Sequence, residues 1–480
     1  MVTKVGDQKD PDTGYRSRID KSTEKAPLGY YKVHLTDYNI WAELTATTRC
    51  GFQRYTFPKG QNARILLDEV KITKVNDYKI EGYSKQRSPN NVWGKGITQE
   101  YIVHFIAEFD KPITHTGIWT ENEIKENTTT LFVKNPKDAG MYVEFDNTKD
   151  HVIQLHTGIS YVSIDNANEN LQKEIAEPFG WDFDKVVAFN RSTWNKLLCR
   201  VSIKSNDRRE KVCFYTNLYH SFCSRNTYSD VDGKWVDANE NVQQFKGKDR
   251  VALGCDAFWN TFWNLNQVWN LVAPEWSNRW ANSQLAMYDI DGWLAKGPAG
   301  MEYIPVMVAE HEIPLIVGAY QMGIRGFDTE KAFQAMKKMQ TTPGKPVGGG
   351  FAGNRDLKAY LKYHYVPMDN GRFSNSLEYS FDDWTVSQMA KALGKRKDYQ
   401  VFADRGEWWK NVIDPESGYA RLRKADGTWV PDFDPFRSGA NRQYVEGNAW
   451  QLTFFVPQNV PGLANIIGKE RLLKRLEWGF

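Results

Sequence analysis

Near residue 165 the hydrophobic pattern of this chain changes period, from two residues to about 3.6, so one sequence must build two different kinds of layer. From Gly29 to about Ile164, short segments alternate apolar and polar residues. They run Tyr31 to Leu35, Ile40 to Thr45, Arg64 to Leu67, Tyr101 to Phe109, Thr130 to Val133, Met141 to Phe145 and Val152 to Leu155, with Gly, Asn, Asp and Pro between them. Half-buried strands at that spacing predict an antiparallel β-sandwich. Asn170 to Ile175 then reads as helix and Pro178 and Gly180 as breakers, which marks a linker. Beyond it the segments Trp259 to Val272, Ile304 to Met322, Thr329 to Met339, Arg355 to Tyr363, Phe381 to Leu393, Asp398 to Val412 and Asn448 to Phe455 carry apolar residues at three- and four-residue spacing. Long loops, Ser224 to Lys246 and Asp414 to Tyr444, separate some of them, and loops of that length in a compact domain usually carry function. A ring of helix hairpins with functional loops at one end fits this pattern. The expected division is an incomplete β-sandwich over 1–165, a helical linker over 166–195 and a helical domain over 196–480.

At 480 residues the chain is long enough for two cores. Lys and Arg total 62 against 59 Asp and Glu, and no basic stretch is long enough to follow a phosphate backbone, so nucleic acid is excluded as the expected partner and a neutral ligand is favoured. Of 18 Trp, 15 follow residue 180, so the second half has an aromatic core, a cleft lined with rings, or both. Five Cys show no CxxC and no paired spacing, which predicts neither a zinc site nor a disulfide framework. No apolar stretch has membrane-spanning length and Met1 to Lys25 is not a signal peptide. The helical pattern from Lys469 continues to Phe480, and the chain reads as cut at both ends.

Tyr444 to Gln451 holds the most suggestive chemistry. Glu446 stands between aromatic residues with Gly447, Asn448 and Gln451 beside it, where a polar loop turns into an apolar run. A carboxyl group packed among rings keeps its proton to neutral pH and can act as a general acid, and neutral amides pair with hydroxyls without adding charge. Gly447 lets a ligand approach the backbone. The alternative makes Glu446 a helix N-terminal residue favoured by the macrodipole, with Tyr444 and Trp450 in the core; that dipole lowers the pKa, so an acid role requires burial to win.

Other groupings carry alternatives of their own. On a helix, Asn260, Asn264 and Gln267 fall on one face and Trp259, Trp263 and Asn270 on its neighbour, an arrangement that either binds a sugar ring or forms an aromatic wall whose amides are satisfied by neighbouring helices. Asp256 would bind substrate or cap that helix. Asp382 and Asp383, read at a helix start, complement the dipole, or one of them holds a hydroxyl. Glu310, His311 and Glu312 are metal-ligating types, yet sequence neighbours do not face one way on a helix and no HExxH follows. Ser229 to Gly233 has some EF-hand character but no Glu at the twelfth position from Asp230, so a turn or loop anchor is expected.

Taken together, Phe214 to His220, Tyr228 to Gly233, Phe258 to Thr261, Ile313 to Asp328, Leu377 to Trp384 and Tyr444 to Gln451 resemble glycoside hydrolase family 92, the calcium-dependent exo-acting α-mannosidases. The resemblance runs over most of the chain in the expected order, and its last motif is the most specific. It implies a β-sandwich followed by an (α/α)6 barrel, an inverting mechanism, and Glu446 as the acid. It also implies calcium near the sugar hydroxyls, with Asn448 and Gln451 as candidates for its shell, and Trp259 and Asn260 at the terminal mannose; Asp256, Asp382, Asp383 and Trp450 complete the candidate substrate contacts. Mannose-containing glycans, N-glycans or mannan, are the implied partners and an extracytoplasmic location the implied setting. Two departures stand out: Asn260 occupies a position where many members have Asp, and the family's base motif lies C-terminal to everything here. A glycan-binding protein without catalysis and another (α/α)6 hydrolase or phosphorylase are the competing readings.

Overall fold

The computed structural model describes residues 16–68, 71–87, 100–120, 123–133, 139–247, 249–254, 257–259, 261–304, 308–348, 350–437 and 443–479. Two compact units emerge. The first comprises Met1–Tyr219, Thr227–Val236 and Glu240–Lys248; the second comprises His220–Asn226, Asp237–Asn239 and Asp249–Phe480.

In the first unit the alternating segments become strands: β1 (Ile19–Lys25), β2 (Tyr31–Leu35), β3 (Ile40–Ala46), β4 (Cys50–Thr56), β5 (Ala63–Leu67), β6 (Lys71–Asn76), β7 (Lys79–Arg87), β8 (Glu100–Phe109), β9 (Ile113–Trp119), β10 (Ile124–Glu126), β11 (Thr130–Phe132), β12 (Gly140–Phe145) and β13 (Val152–Ser160). One sheet runs β1-β2-β3-β4-β13-β8-β7-β6-β11 and the other β10-β9-β12-β5. Alternation decides the faces. Ala63, Ile65, Ile80, Ala107, Phe109, Ile113, Val143, Phe145, Ile153 and Leu155 meet between the sheets. On the far side of the larger sheet, Phe52 and Ile106 pack against Ala167, Leu171, Ile175, Phe183 and Val186 of the helical segment that follows. That segment consists of α1 (Ile164–Leu171), a π-helical turn over Gln172–Ala176, α2 (Glu177–Phe179), α3 (Phe183–Leu198) and α4 (Arg208–Ser221). Gly158 permits the close approach, since a Cβ there would lie 2.4 Å from the Ala167 carbonyl oxygen.

The loop from Ser229 is an anchor rather than a cation site. Buried Asp230 accepts hydrogen bonds from Ser160 Oγ (2.6 Å) and Asn170 Nδ2 (2.7 Å), Asn170 Oδ1 accepts from Val231 N, and Asp232 Oδ1 accepts from Lys234 N, closing the turn.

The second unit contains α5 (Leu265–Val272), α6 (Pro274–Asp291), α7 (Glu312–Gln321), α8 (Thr329–Thr341), α9 (Leu357–Tyr363), α10 (Asn375–Ala392), α11 (Arg396–Arg405), α12 (Ala449–Leu452), α13 (Val460–Ile467) and α14 (Lys469–Gly479). Helix α10 is buried along nearly its whole length and packs against α7, α8 and α11, which is why it carries almost no amphipathic signal. Trp280, Trp293 and Trp409 are among the largest fully buried side chains, so much of the tryptophan excess is core.

Several helices differ from their sequence expectation. Trp259 to Val272 is not one helix: a 3-10 turn covers Thr261–Trp263, and Asn264, at φ −153°, interrupts before α5. Helix α7 starts at Glu312 rather than Ile304, because Ala309 takes a left-handed backbone (φ 56°) that no α-helix continues through. Helix α10 starts at Asn375 rather than Phe381, and α12 is a single turn where a run to Phe455 was expected.

Candidate active site

The turn that carries Glu446 is held from both sides. Before it, Ser374 N donates to Gln443 O (2.9 Å), Val445 N donates to Ser374 Oγ (3.1 Å) and Tyr444 OH donates to Ala420 O (2.6 Å), fixing the turn to the start of α10. After it, Asn448 is the N-cap of α12: its Oδ1 accepts from Gln451 N (3.0 Å) and its Nδ2 donates to Phe436 O (3.3 Å). Ala449 is fully buried. Between these anchors the backbone reverses through Glu446 at φ 50°, a left-handed conformation costly for a non-glycine residue, and the carboxylate emerges exposed. Burial among rings, the condition set for a neutral-pH acid, is therefore not present in the free chain. Gln451 Oε1 lies over Gly447, 3.1 Å from where a Cβ would stand.

Trp450 is half-buried. Its ring lies near Phe436 (centroids 6.3 Å apart, planes at 22°) and edge-on to Trp478 (5.0 Å) and Phe454 (5.7 Å).

Deeper in the same unit lies a buried polar network that sequence reading did not assemble. Trp259 Nε1 donates to Glu378 Oε1 (3.3 Å), and Glu378 Oε2 lies 3.0 Å from His311 Nε2. Asp382 Oδ2 accepts from Glu310 N (3.0 Å) and Gln340 Nε2 (3.4 Å). Lys296 Nζ donates to Glu310 Oε1 (3.2 Å) and to Gly353 O (2.7 Å). Asp383 accepts from Tyr360 OH (2.9 Å) and pairs with Arg405 through both Nε (2.9 Å) and Nη2 (2.8 Å).

Protons are pinned accordingly. Burial pushes the Asp382 carboxyl up to about 7, against the pull of the His311 charge. Burial also raises Asp383, with Arg405 opposing it. Glu312 is raised well above the carboxylate range, first by burial and then by the neighbouring Glu310 charge. Burial opposes a charge on His311, but Asp382, Glu378 and Glu310 outweigh it and hold the imidazole above its ordinary value.

This geometry corrects the reading of Asp382 and Asp383 as helix-start acids. Both lie mid-helix in α10, fully buried, with protein partners, so neither complements the dipole and neither is placed to meet a ligand from solvent. The proposed amide stripe also dissolves with its helix. Gln267 Nε2 donates to Phe262 O (2.7 Å), Asn266 Oδ1 accepts from Arg225 Nη2 (2.9 Å), Asn270 Nδ2 lies 3.4 Å from Met322 Sδ, and Trp263 is exposed. These amides hold neighbouring segments. Asp256 and Asn260 lie outside the described residues. Asn448 directs its oxygen at a helix N-terminus, where positive partial charge disfavours a cation, whereas Gln451 retains a carbonyl oxygen of the kind calcium takes. Among the described residues no group of three or more His, Cys, Asp or Glu could hold a metal ion. The missed signal was Glu378 and Asp382 at i and i+4, two acids on one face of the same helix.

Comparison with known proteins places this architecture. The glycosyl hydrolase family 92 N-terminal domain matches residues 1–160 and the family's catalytic domain matches residues 166–480. The chain belongs to glycosyl hydrolase family 92. Its fold, a β domain followed by a helical domain, matches the family 92 α-mannosidase BT3965 from Bacteroides thetaiotaomicron, at 30% identity and a TM-score of 0.85 over 99% of this chain and 63% of that one. The same mannosidase in complex with mannoimidazole gives 0.87. BT2199, a family 92 inverting mannosidase from the same bacterium, shares the fold at 22% identity, with a TM-score of 0.86 over 96% of this chain and 61% of that one. An uncharacterized secreted glycosidase from Arthroderma benhamiae is 22% identical over 95% of this chain and 60% of its own length. The chain thus spans less than two thirds of the length of these relatives. Among the described residues no helix is long and apolar enough to cross a membrane.

Proposed function

We propose that this family 92 chain serves the release of terminal α-linked mannose from glycans, with Glu446 as general acid of an inverting reaction. The observation that carries the reading is the strained, exposed Glu446 on a turn fixed at both ends, in the motif by which the chain most resembles the family. Backbone strain of this kind collects at functional sites, where the surrounding structure over-determines it. The relationship to BT3965, an α-mannosidase whose structure holds mannoimidazole, supports mannose as the sugar.

In this reaction Glu446 gives its proton to the glycosidic oxygen as the bond to C1 breaks, and water attacks C1 from the opposite face, yielding its proton to a second carboxylate. Inversion places those carboxyls roughly 6.5–9.5 Å apart, to leave room for the water. No residue of this chain is assigned to that second carboxylate. A seated glycan would cover the exposed Glu446 and exclude water from it. Trp259 remains the candidate contact to the terminal mannose. Calcium, where bound, would polarise sugar hydroxyls, and Gln451 Oε1 is the donor this chain offers.

The test is Glu446→Gln in the full-length protein. Mannosides with poor leaving groups should lose about 10²–10⁴ in rate while aryl mannosides with good leaving groups lose far less, because only the former need the proton. Equal losses on both remove the acid assignment. For the metal, full mannose release in chelator, with bound calcium excluded by elemental analysis, removes the calcium role.

A further inference from the structure

Ser374 stands at the N-cap of α10, the position where a serine hydroxyl ordinarily accepts from an amide of the helix's first turn. Ser163 does so at α1, accepting from Asn166 N (3.0 Å). Ser374 does not. Its backbone is already helical (φ −62°, ψ −19°) and its side chain makes no cap bond. The first amides of α10 are taken by the preceding turn instead: Asn375 N donates to Arg372 O (3.0 Å), Ser376 N to Phe373 O (3.0 Å) and Leu377 N to Ser374 O (3.1 Å). That arrangement frees the hydroxyl. The freed oxygen accepts from Val445 N (3.1 Å), 71 residues on and next to Glu446.

The helix start is secured without this bond. Asp356 Oδ2 accepts from Arg372 N (3.0 Å) and from Asn375 Nδ2 (2.8 Å), while Ser376 Oγ accepts from Val366 N (2.8 Å) and donates to Phe373 O (2.7 Å). The turn is the side that depends on it. Val445 is 5% exposed, and a buried amide deprived of its acceptor must find another, which rotates the peptide plane one residue before Glu446. Glu446 itself sits at φ 50°, a conformation kept only where the surroundings over-determine it. The ties from Ser374 N to Gln443 O and from Tyr444 OH to Ala420 O act before Val445, so they hold the segment in place without fixing the aim of the carboxyl.

We propose that Ser374 is a positioning residue for proton transfer: by holding the Val445 amide, its hydroxyl aims the Glu446 carboxyl at the glycosidic oxygen. The proposal rests on the reading of Glu446 as the acid. Ser374 is buried and touches neither sugar nor proton, so it acts only through the turn. Transfer is steep in geometry, and a misplacement of about 1 Å costs about 10²-fold in rate. The cost falls on substrates whose leaving oxygen needs the proton and spares those whose leaving group departs without it.

In the full-length protein, kcat is measured on a mannose disaccharide and on an aryl mannoside with a good leaving group, below the melting transition of every variant. Ser374→Ala removes the acceptor, and Ser374→Cys fills the same space with a much poorer one, so the second decides if the first does not fold. Each should lose about 10–10²-fold in kcat on the disaccharide and less than about twofold on the aryl mannoside, with KM little changed. In a Glu446→Gln background the same substitutions should cost nothing further, because the group they position is gone. Ser376→Ala, which removes a buried hydroxyl from the same helix start, should lower the melting temperature without this selectivity. No loss, equal losses on both substrates, or a loss that persists beside Glu446→Gln overturns the positioning role, and a selective Glu446→Gln then leaves the acid standing. The same selectivity in Ser376→Ala makes the effect one of the helix start and also overturns it. A Glu446→Gln variant that loses equally on both substrates overturns the acid reading, and the proposal with it.

Discussion

Asp382→Asn isolates the cost of keeping a carboxyl inside α10. The folded chain holds the Asp382 proton up to about 7, against 3.8 for the free side chain, because burial removes water from the charge. The folded state therefore binds the proton more tightly than the unfolded one between these values. Its contribution is fully present below about pH 4 and is lost as pH rises to about 7, after which the penalty is constant. At about 1.36 kcal/mol for each tenfold change, three decades amount to about 4 kcal/mol at pH 8. Asparagine cannot ionise. With its amide oxygen in place of Oδ2 it still accepts from Glu310 N and Gln340 Nε2, so the variant keeps both bonds and loses the penalty. His311 works in the other direction: with the Asp382 charge gone, its imidazole is held less far above its ordinary value, which returns part of the gain. The measurement is urea unfolding of parent and variant at several pH values from 4.5 to 8, followed by tryptophan fluorescence. The stability of Asp382→Asn relative to the parent should increase by up to about 3 kcal/mol across that interval, the first part of the total being spent below pH 4.5, and level off above pH 7. A difference independent of pH would refute the reasoning, since Asp382 would then ionise as freely folded as unfolded. A difference that runs the other way would mean His311 and the backbone amide hold it ionised.

Arg405→Met leaves Asp383 buried with only Tyr360 to donate to it, and breaking such a pair costs about 3–5 kcal/mol in urea unfolding at pH 8. Arg405→Lys should recover only part of this, because a single ammonium cannot reproduce the two-nitrogen fork; recovery in full would show that charge alone matters. At the turn, Glu446→Gly should be about 1 kcal/mol more stable than Glu446→Ala in thermal melts, since only glycine occupies φ 50° without steric cost. Equal melting points would mean the turn relaxes and the backbone is not strained.

Alternation made the β domain legible because most of its strands face a core on at least one side. Ile153 and Leu155 of β13 point between the sheets, and their register with β4 and β8 follows from that constraint. Helical periodicity located α8 and α9 equally well, yet misjudged the helices whose ends depend on tertiary partners. Nothing local to Ala309 announces a left-handed residue; the reversal is stabilised by a buried Glu310 whose amide finds Asp382, 72 residues away. Similarly, α10 begins early because Ser374 and Asn375 are fixed by Gln443 and Asp356, distant in sequence. The acid motif was visible as a cluster of residue types, but its exposure was not, since burial is a property of neighbours that a local octet does not contain.

Two kinds of carboxyl in one domain then divide the labour by solvent. Glu312, Asp382 and Asp383 are buried, Asp383 paired with the Arg405 cation and the other two pushed toward their protonated form by burial. Such groups fix the positions of α7, α10 and α11 relative to one another, because a misplaced helix would strand a charge in low dielectric. Glu446 is the opposite case: exposed, on a turn whose backbone is fixed at both ends. On the proposed function the exposed carboxyl is the one left to meet a ligand, while the buried ones hold α10, to whose start the turn is tied.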